Sequence, residues 1–195
     1  RTDADTGTDE GTQADANGES PEECQGELSA GAVVGDFKLV SLLGLGGMGQ
    51  VWEAEESSIQ RRVALKLLHP HFEVSSKVLE RFEREAQAGG RLSHQGIVQI
   101  HSVGESDGRH YMAQELVDGS FTLADALNDF RQADELPEQY YQETAALFVQ
   151  IGKALAHAHQ NGVIHRDIKP SNLLVAPDDT VKLGDLGIAV DLGAL

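Results

Sequence analysis

Three oxygen-bearing side chains near the end of the sequence can do chemistry together. The stretch His165-Arg166-Asp167-Ile168-Lys169-Pro170-Ser171-Asn172 is followed, thirteen residues after Asn172, by Asp185-Leu186-Gly187. Asp167, Asn172 and Asp185 can converge on a divalent metal and a polyphosphate, because Mg²⁺ takes hard oxygen ligands and shares its shell with phosphate oxygens. Such a set suits the transfer of a phosphoryl group. His, Arg, Asp, Lys and Asn at fixed spacing are rarely met by chance in a chain of 195 residues.

Positioning these groups requires a scaffold, and its first part starts at Phe37. Phe37-Lys38-Leu39-Val40-Ser41-Leu42-Leu43 alternates like a strand and runs into Gly44-Leu45-Gly46-Gly47-Met48-Gly49-Gln50-Val51. Strand, glycine turn, strand is the implied shape. Glycines at 44, 46 and 49 let backbone N–H groups approach phosphate oxygens. With 21 glycines in the chain the pattern is weak by itself, and a plain hairpin turn is the competing reading.

Arg62-Val63-Ala64-Leu65-Lys66-Leu67-Leu68 reads as a third strand with a lysine among apolar neighbours. A partly buried ammonium group is costly unless paired. The next helix, with Ser75 or Ser76 as N-cap, supplies a partner. Residues 82, 85, 86 and 89 share its apolar face, so Glu85 sits there and not on the solvent side with Glu80, Glu83 and Arg84. A Lys66–Glu85 pair follows; the competing reading is a snorkelling lysine and a surface acid.

Two further strands, Val98–Val103 and Arg109–Val117, are joined by the turn Glu105-Ser106-Asp107-Gly108 and complete a five-stranded antiparallel sheet. Beyond Asp118-Gly119 the chain turns helical. One short helix is expected from Thr122 to about Gln132. A long one follows from about Glu138 to Gln160, burying Ala145, Leu147, Phe148, Ile151, Ala154, Leu155 and Ala158 and stopping at Asn161-Gly162. His157 and His159, two apart, do not share a face and make a poor metal pair. Leu173-Leu174-Val175 and Thr180-Val181-Lys182-Leu183 bracket the turn Pro177-Asp178-Asp179 as a hairpin that delivers Asp185.

These motifs together resemble the eukaryotic-like protein kinases. H-R-D-x-K-x-x-N is similar to their catalytic loop, D-L-G stands where D-F-G is commoner, V-A-L-K resembles V-A-I-K, and Gly44 to Val51 resembles G-x-G-x-x-G-x-V. The chain looks like the bacterial serine/threonine branch, and Lys169 weighs against a tyrosine kinase. The implied fold is α+β and two-lobed: a small lobe over 36–117, with the five-stranded sheet and one helix, and an incomplete, mainly helical large lobe over 118–195.

The resemblance also implies roles. Asp167 accepts the proton of the substrate hydroxyl, Lys169 neutralises charge on the transferring phosphate, and Asn172 and Asp185 hold Mg²⁺. Lys66, positioned by Glu85, holds the α- and β-phosphates of ATP. Val51 packs on adenine, backbone groups of Glu115 and Val117 bond it, and Gly44, Gly46, Gly49, Ala64 and Leu174 join the nucleotide-binding set. Gln114 guards the back of that pocket, or is an ordinary strand residue. His165 is structural and packs against Leu186. Relatives usually carry a bulky apolar residue one turn after the helix glutamate; here Gly89-Gly90 stands instead, which weakens the helix.

Composition narrows the partners. The formal net charge is −17, which argues against a nucleic acid or a membrane surface, both of which want clustered Lys and Arg. Residues 1–27 hold nine acids against one base and lack Leu and aromatics, so a disordered acidic tail is expected, with Thr2, Thr6, Thr8 and Thr12 as phosphorylation candidates. A single cysteine, Cys24, and no span-length apolar run or signal peptide fit a cytoplasmic setting for this segment, with a membrane anchor elsewhere in a longer chain as the alternative. The chain starts at Arg1 and stops eight residues after Gly187, so it reads as a fragment lacking the activation segment and the substrate-binding helices. The expectation is an ATP-dependent protein serine/threonine kinase. A pseudokinase or scaffold without phosphotransfer, and an aggregating fragment, are the alternatives.

Overall fold

A computed structural model describes residues 28–46, 49–69, 76–133, 135–185 and 190–191. The acidic tail, Gly47-Met48, Ser75 and Leu186-Gly187 lie outside the described residues.

Six strands form the upper sheet: β1 (Val33–Val34), β2 (Phe37–Gly46), β3 (Gly49–Glu56), β4 (Arg61–Leu68), β5 (Ile100–Ser106) and β6 (Arg109–Glu115). Their order is β1-β2-β3-β4-β6-β5, and every pairing is antiparallel. The expected sheet of five thus gains a two-residue edge strand. Gly35, at φ 58°, folds the chain back so that Val34 pairs with Phe37, and both side chains are buried. Two residues are too few to show alternation. The loop between β5 and β6 places Asp107 and Gly108 at φ 51° and 75°, the pair of left-handed conformations that a tight two-residue hairpin needs.

Helix α1 (Ser76–Gly90) crosses the sheet. Phe82 and Ala86 meet Leu68 and Met112 in one small core, while Leu39, Trp52, Val63, Leu65 and Ala113 fill another with Phe37. The helix persists through Gly89 and Gly90, and the tertiary packing of its apolar face accounts for that against glycine's poor helix propensity.

After β6 the chain enters the short strand β7 (Phe121–Thr122), helix α2 (Leu123–Gln132) and helix α3 (Tyr140–Gln160). Thr122 caps α2: Asp125 N donates to Thr122 Oγ1 at 3.2 Å, and Thr122 N donates back to Asp125 Oδ2 at 2.9 Å. This reciprocal arrangement satisfies two otherwise orphaned donors. Ile151, Ala154 and Ala158 of α3 are buried, with Leu147 and Leu155 packed beside them. Ala145 and Phe148 are not, the latter being 63% exposed. The sequence pattern drew the apolar face too wide: residue 148 lies about 100° round the helix from residue 147.

Strands β8 (Val163–Ile164), β9 (Leu173–Val175), β10 (Val181–Leu183) and β11 (Val190–Asp191) complete the order, with a 3₁₀ turn at Pro170–Asn172. β9 and β10 form the expected hairpin. Their core with α3 also takes in Ala88, Leu92 and Ile97. Val98 N donates to the Leu183 carbonyl and Leu183 N to the Gly96 carbonyl, both at 2.9 Å. The segment following α1 therefore seams the sheet to the helical part. Among the described residues no helix is long and apolar enough to cross a membrane.

Candidate active site

β4 and α1 together place the lysine and its partner. Lys66 Nζ lies 2.9 Å from each oxygen of Glu85 and 2.8 Å from Asp185 Oδ1. Glu85 is 2% exposed, so its carboxylate faces Lys66 away from water. Two carboxylates around one ammonium group cannot be equal: the more buried one retains a proton more readily. Burial pushes the Glu85 carboxyl up to about 7, although Lys66 draws it down. Burial also works against the charge on Lys66, but Glu85 and Asp185 outweigh it and raise the lysine above its ordinary value. For Asp185 burial pushes upward, and the Lys66 charge and hydrogen bond overcome it, leaving the group below the usual carboxylate range.

The catalytic-loop residues are held by one another. Lys169 Nζ donates to Asp167 Oδ2 at 2.8 Å. Asn172 Nδ2 donates to the Asp167 carbonyl at 2.9 Å and to Asp167 Oδ2 at 3.1 Å. Asp167 is consequently kept ionised, first by the Lys169 bond and also by Asn172, against a smaller burial effect. His165 is fully buried and staples the loop to the strand beside it. Asp167 N donates to His165 Nδ1 at 3.3 Å, which leaves Nε2 to carry the hydrogen and donate to the Gly184 carbonyl at 3.0 Å. His165 thus joins the loop to Gly184, just after β10; Leu186, its expected neighbour, is outside the described residues. Arg166 and Asp185 adopt φ 63° and 54°. Non-glycine residues in this region cost energy and tend to gather at functional sites.

A cleft of about 780 Å³ lies between the sheet and the helical part. Gly44, Gly46, Gly49, Val51, Ala64 and Lys66 line it from above, Glu115 and Val117 from the connecting segment, and Leu174, Asp167, Lys169, Asn172 and Asp185 from below. The cleft thus gathers every residue assigned from sequence to catalysis, nucleotide or metal except Glu85, which stands behind Lys66. Gln114 also faces it. The three glycines have different reasons to be there. A Cβ at Gly44 would meet nothing within 4 Å, and one at Gly46 only the Gly49 carbonyl at 3.8 Å, so both simply leave room. A Cβ at Gly49 would collide with the Leu67 carbonyl.

Sequence reasoning missed Arg62, Glu53, Asp118 and Asp125, which surround the outer mouth of the cleft. A period-two reading of β4 could have found Arg62, since it shares a strand face with Ala64 and Lys66. Among the described residues no group of three metal-binding side chains is assembled. The donor set nonetheless fits Mg²⁺: Asn172 spends its amide nitrogen on Asp167, so its remaining polar atom is a carbonyl oxygen, and Asp185 supplies a carboxylate.

Comparison with known proteins agrees with this geometry. The family model for the protein kinase domain matches residues 37–194. Serine/threonine-protein kinase PknD of Mycobacterium tuberculosis is 41% identical over 163 residues, covering 82% of this chain and 23% of that protein. PknA of the same species is 39% identical over 161 residues, covering 80% of this chain and 36% of the relative. The crystal structure of the M. tuberculosis PknI kinase domain superposes with a TM-score of 0.70 at 31% identity, covering 83% of this chain and 62% of that one. The chain therefore spans only 23% and 36% of the length of these two curated relatives. It belongs to the protein kinase family, on the bacterial, eukaryotic-like serine/threonine branch.

Proposed function

We propose that residues 36–117 and 118–195 are the small lobe and part of the large lobe of an ATP-dependent protein serine/threonine kinase, acting in the cytoplasm on a protein hydroxyl. The observation that carries this reading is the single cleft that collects Lys66, Asp167, Lys169, Asn172 and Asp185.

In this reading Lys66, held by Glu85, binds the α- and β-phosphates, while the backbone at Gly44, Gly46 and Gly49 approaches the triphosphate. The adenine ring lies between Val51 and Ala64 above and Leu174 below. The Glu115 N–H already donates to the Gln99 carbonyl at 2.8 Å, so Glu115 contributes its own carbonyl oxygen to adenine, and Val117 the neighbouring backbone group. Asn172 and Asp185 hold Mg²⁺, which neutralises phosphate charge when bound. Asp167 orients the substrate hydroxyl and takes its proton as the new O–P bond forms and the bond from the γ-phosphorus to the ADP oxygen breaks. Lys169 faces the charge that develops on the transferred group.

Calorimetry of ATP binding with and without Mg²⁺, combined with transfer of labelled phosphate to a serine/threonine peptide mixture, tests the assignment. Magnesium-dependent binding should be lost in Lys66→Met. Asp167→Asn should bind ATP normally and transfer nothing. Binding that survives unchanged in Lys66→Met, or transfer by Asp167→Asn near the wild-type rate, would overturn the roles of these two residues.

A further inference from the structure

The face of β4 that looks into the cleft carries three residues in alternation: Lys66 at the inner end, Ala64 in the middle and Arg62 at the outer end. At about 3.3 Å per residue, Arg62 stands roughly 13 Å along the strand from Lys66. Its guanidinium makes four hydrogen bonds. Nη1 and Nη2 donate to the two carboxylate oxygens of Asp118 at 2.7 and 3.3 Å. Nε and Nη2 donate to Glu53 Oε1 at 3.0 and 2.8 Å. Glu53 is in turn tied to β2, because Ser41 Oγ donates to its Oε2 at 2.9 Å. A bonded chain thus runs across β2, β3 and β4 and out to Asp118, in the segment that follows β6. Arg62 and Asp118 are 56 positions apart in sequence, and the β4–β6 pairing brings them together: Val63 opposes Glu115, so Arg62 reaches Asp118 just past the end of β6, where the connecting segment runs.

We propose that Arg62 is a positioning residue that clasps Asp118, ties the connecting segment to β3 and β4 beside the cleft and so slows the release of bound nucleotide. This rests on the reading of the cleft as an ATP site. The planar fork of arginine suits a two-oxygen grip on a carboxylate, which lysine cannot reproduce. Charge gives a second reason. Glu53, Asp118 and Asp125 all border the mouth, and without Arg62 they would repel one another and an entering polyphosphate. Its bonds to Asp118 and Glu53 raise Arg62 above its ordinary value, and the same bond holds Asp118 below the carboxylate range. Arg62 and Asp118 are both well exposed, at 52% and 69%, and exposed ion pairs are individually weak and screened by salt. A contact of that strength can open often enough to let nucleotide leave.

The test is the dissociation rate of a fluorescent ATP analogue from the Mg²⁺-loaded protein, chased with excess ATP, with circular dichroism confirming that each variant folds. Arg62→Ala should speed release roughly two- to five-fold, the scale of an exposed ion pair. Asp118→Ala should do the same, and the double variant should be no faster than either single one. Arg62→Lys should fall between Arg62→Ala and the unaltered protein. Added salt should accelerate release from the unaltered protein more than from Arg62→Ala. Faster release in Arg62→Ala but not in Asp118→Ala would mean that Arg62 touches the nucleotide directly, and would overturn the clasp. Unchanged release in both variants would overturn the clasp and leave the nucleotide site standing. Absence of nucleotide binding to the unaltered protein would overturn both.

Discussion

Lys182 on β10 reaches Glu115 at the end of β6, with Nζ 2.8 Å from Oε1 and 3.1 Å from Oε2. The same carboxylate accepts from Gln99 N at 3.2 Å. One side chain of the adenine-side segment is therefore anchored to the strand that leads into Asp185 and to the stretch that follows α1. The lysine and glutamate side chains are only 16% and 30% exposed, so solvent screens the pair less than it does a surface bridge.

Lys182→Met should leave the Glu115 carboxylate leaning on the Gln99 backbone amide without its cationic partner. Stranding one member of a partly buried pair costs more than the pair contributes, and a loss of about 1–2 kcal/mol is expected. Thermal unfolding checks it: the midpoint should drop in Lys182→Met and recover in part when Glu115→Gln is added. Equal midpoints for Lys182→Met and the unaltered protein would show that the pair contributes nothing.

Gly49 and Gly90 make opposite predictions from the same substitution. Alanine at Gly90 meets nothing within 4 Å, at the exposed end of α1, and should stabilise the fold by about 0.5 kcal/mol through helix propensity and reduced freedom of the unfolded chain. Alanine at Gly49 would press on the Leu67 carbonyl, which is backbone in the middle of a sheet and cannot step aside, so it should destabilise by more than about 1 kcal/mol. Denaturant titration of the two variants decides it; a stabilised Gly49→Ala would mean the sheet yields there.

The parts of the site that were legible in the sequence are those whose geometry follows from short spacing. Asp167, Lys169 and Asn172 lie within one loop, and the helical period alone put Glu85 on the buried face of α1 where Lys66 finds it. Partners joined only by the assembled fold could not be read that way. Arg62 and Asp118 are 56 residues apart, and Lys182 and Glu115 are 67 apart, and no periodicity links them. The two-residue strand β1 was too short to leave a pattern. Phe148 misled because a large apolar residue next to a buried stripe looks buried unless the covering surface is known.

Acid should act on the site and on the fold in opposite directions through Glu85. Its carboxyl, ordinarily near 4.5, is pushed up to about 7 by burial. The folded chain therefore holds a proton there that the unfolded chain gives up. The stability this confers is complete below about pH 4.5 and is lost as pH rises through about 7. The ion pair follows the reverse course, since Lys66 gains its full anionic partner only as Glu85 ionises above about pH 7. Nucleotide affinity should accordingly fall as pH drops from about 8 to about 6, because a lysine without its charged partner is less firmly aimed at phosphate. Glu85→Gln removes the titration while keeping the shape, so its affinity should be lower at pH 8 and nearly flat across the same range. Its unfolding midpoint should gain on that of the unaltered protein as pH rises. Calorimetric ATP titrations and thermal scans at matched ionic strength measure both. An unaltered protein whose affinity does not change across this window would place the Glu85 titration elsewhere and leave nucleotide binding independent of that proton.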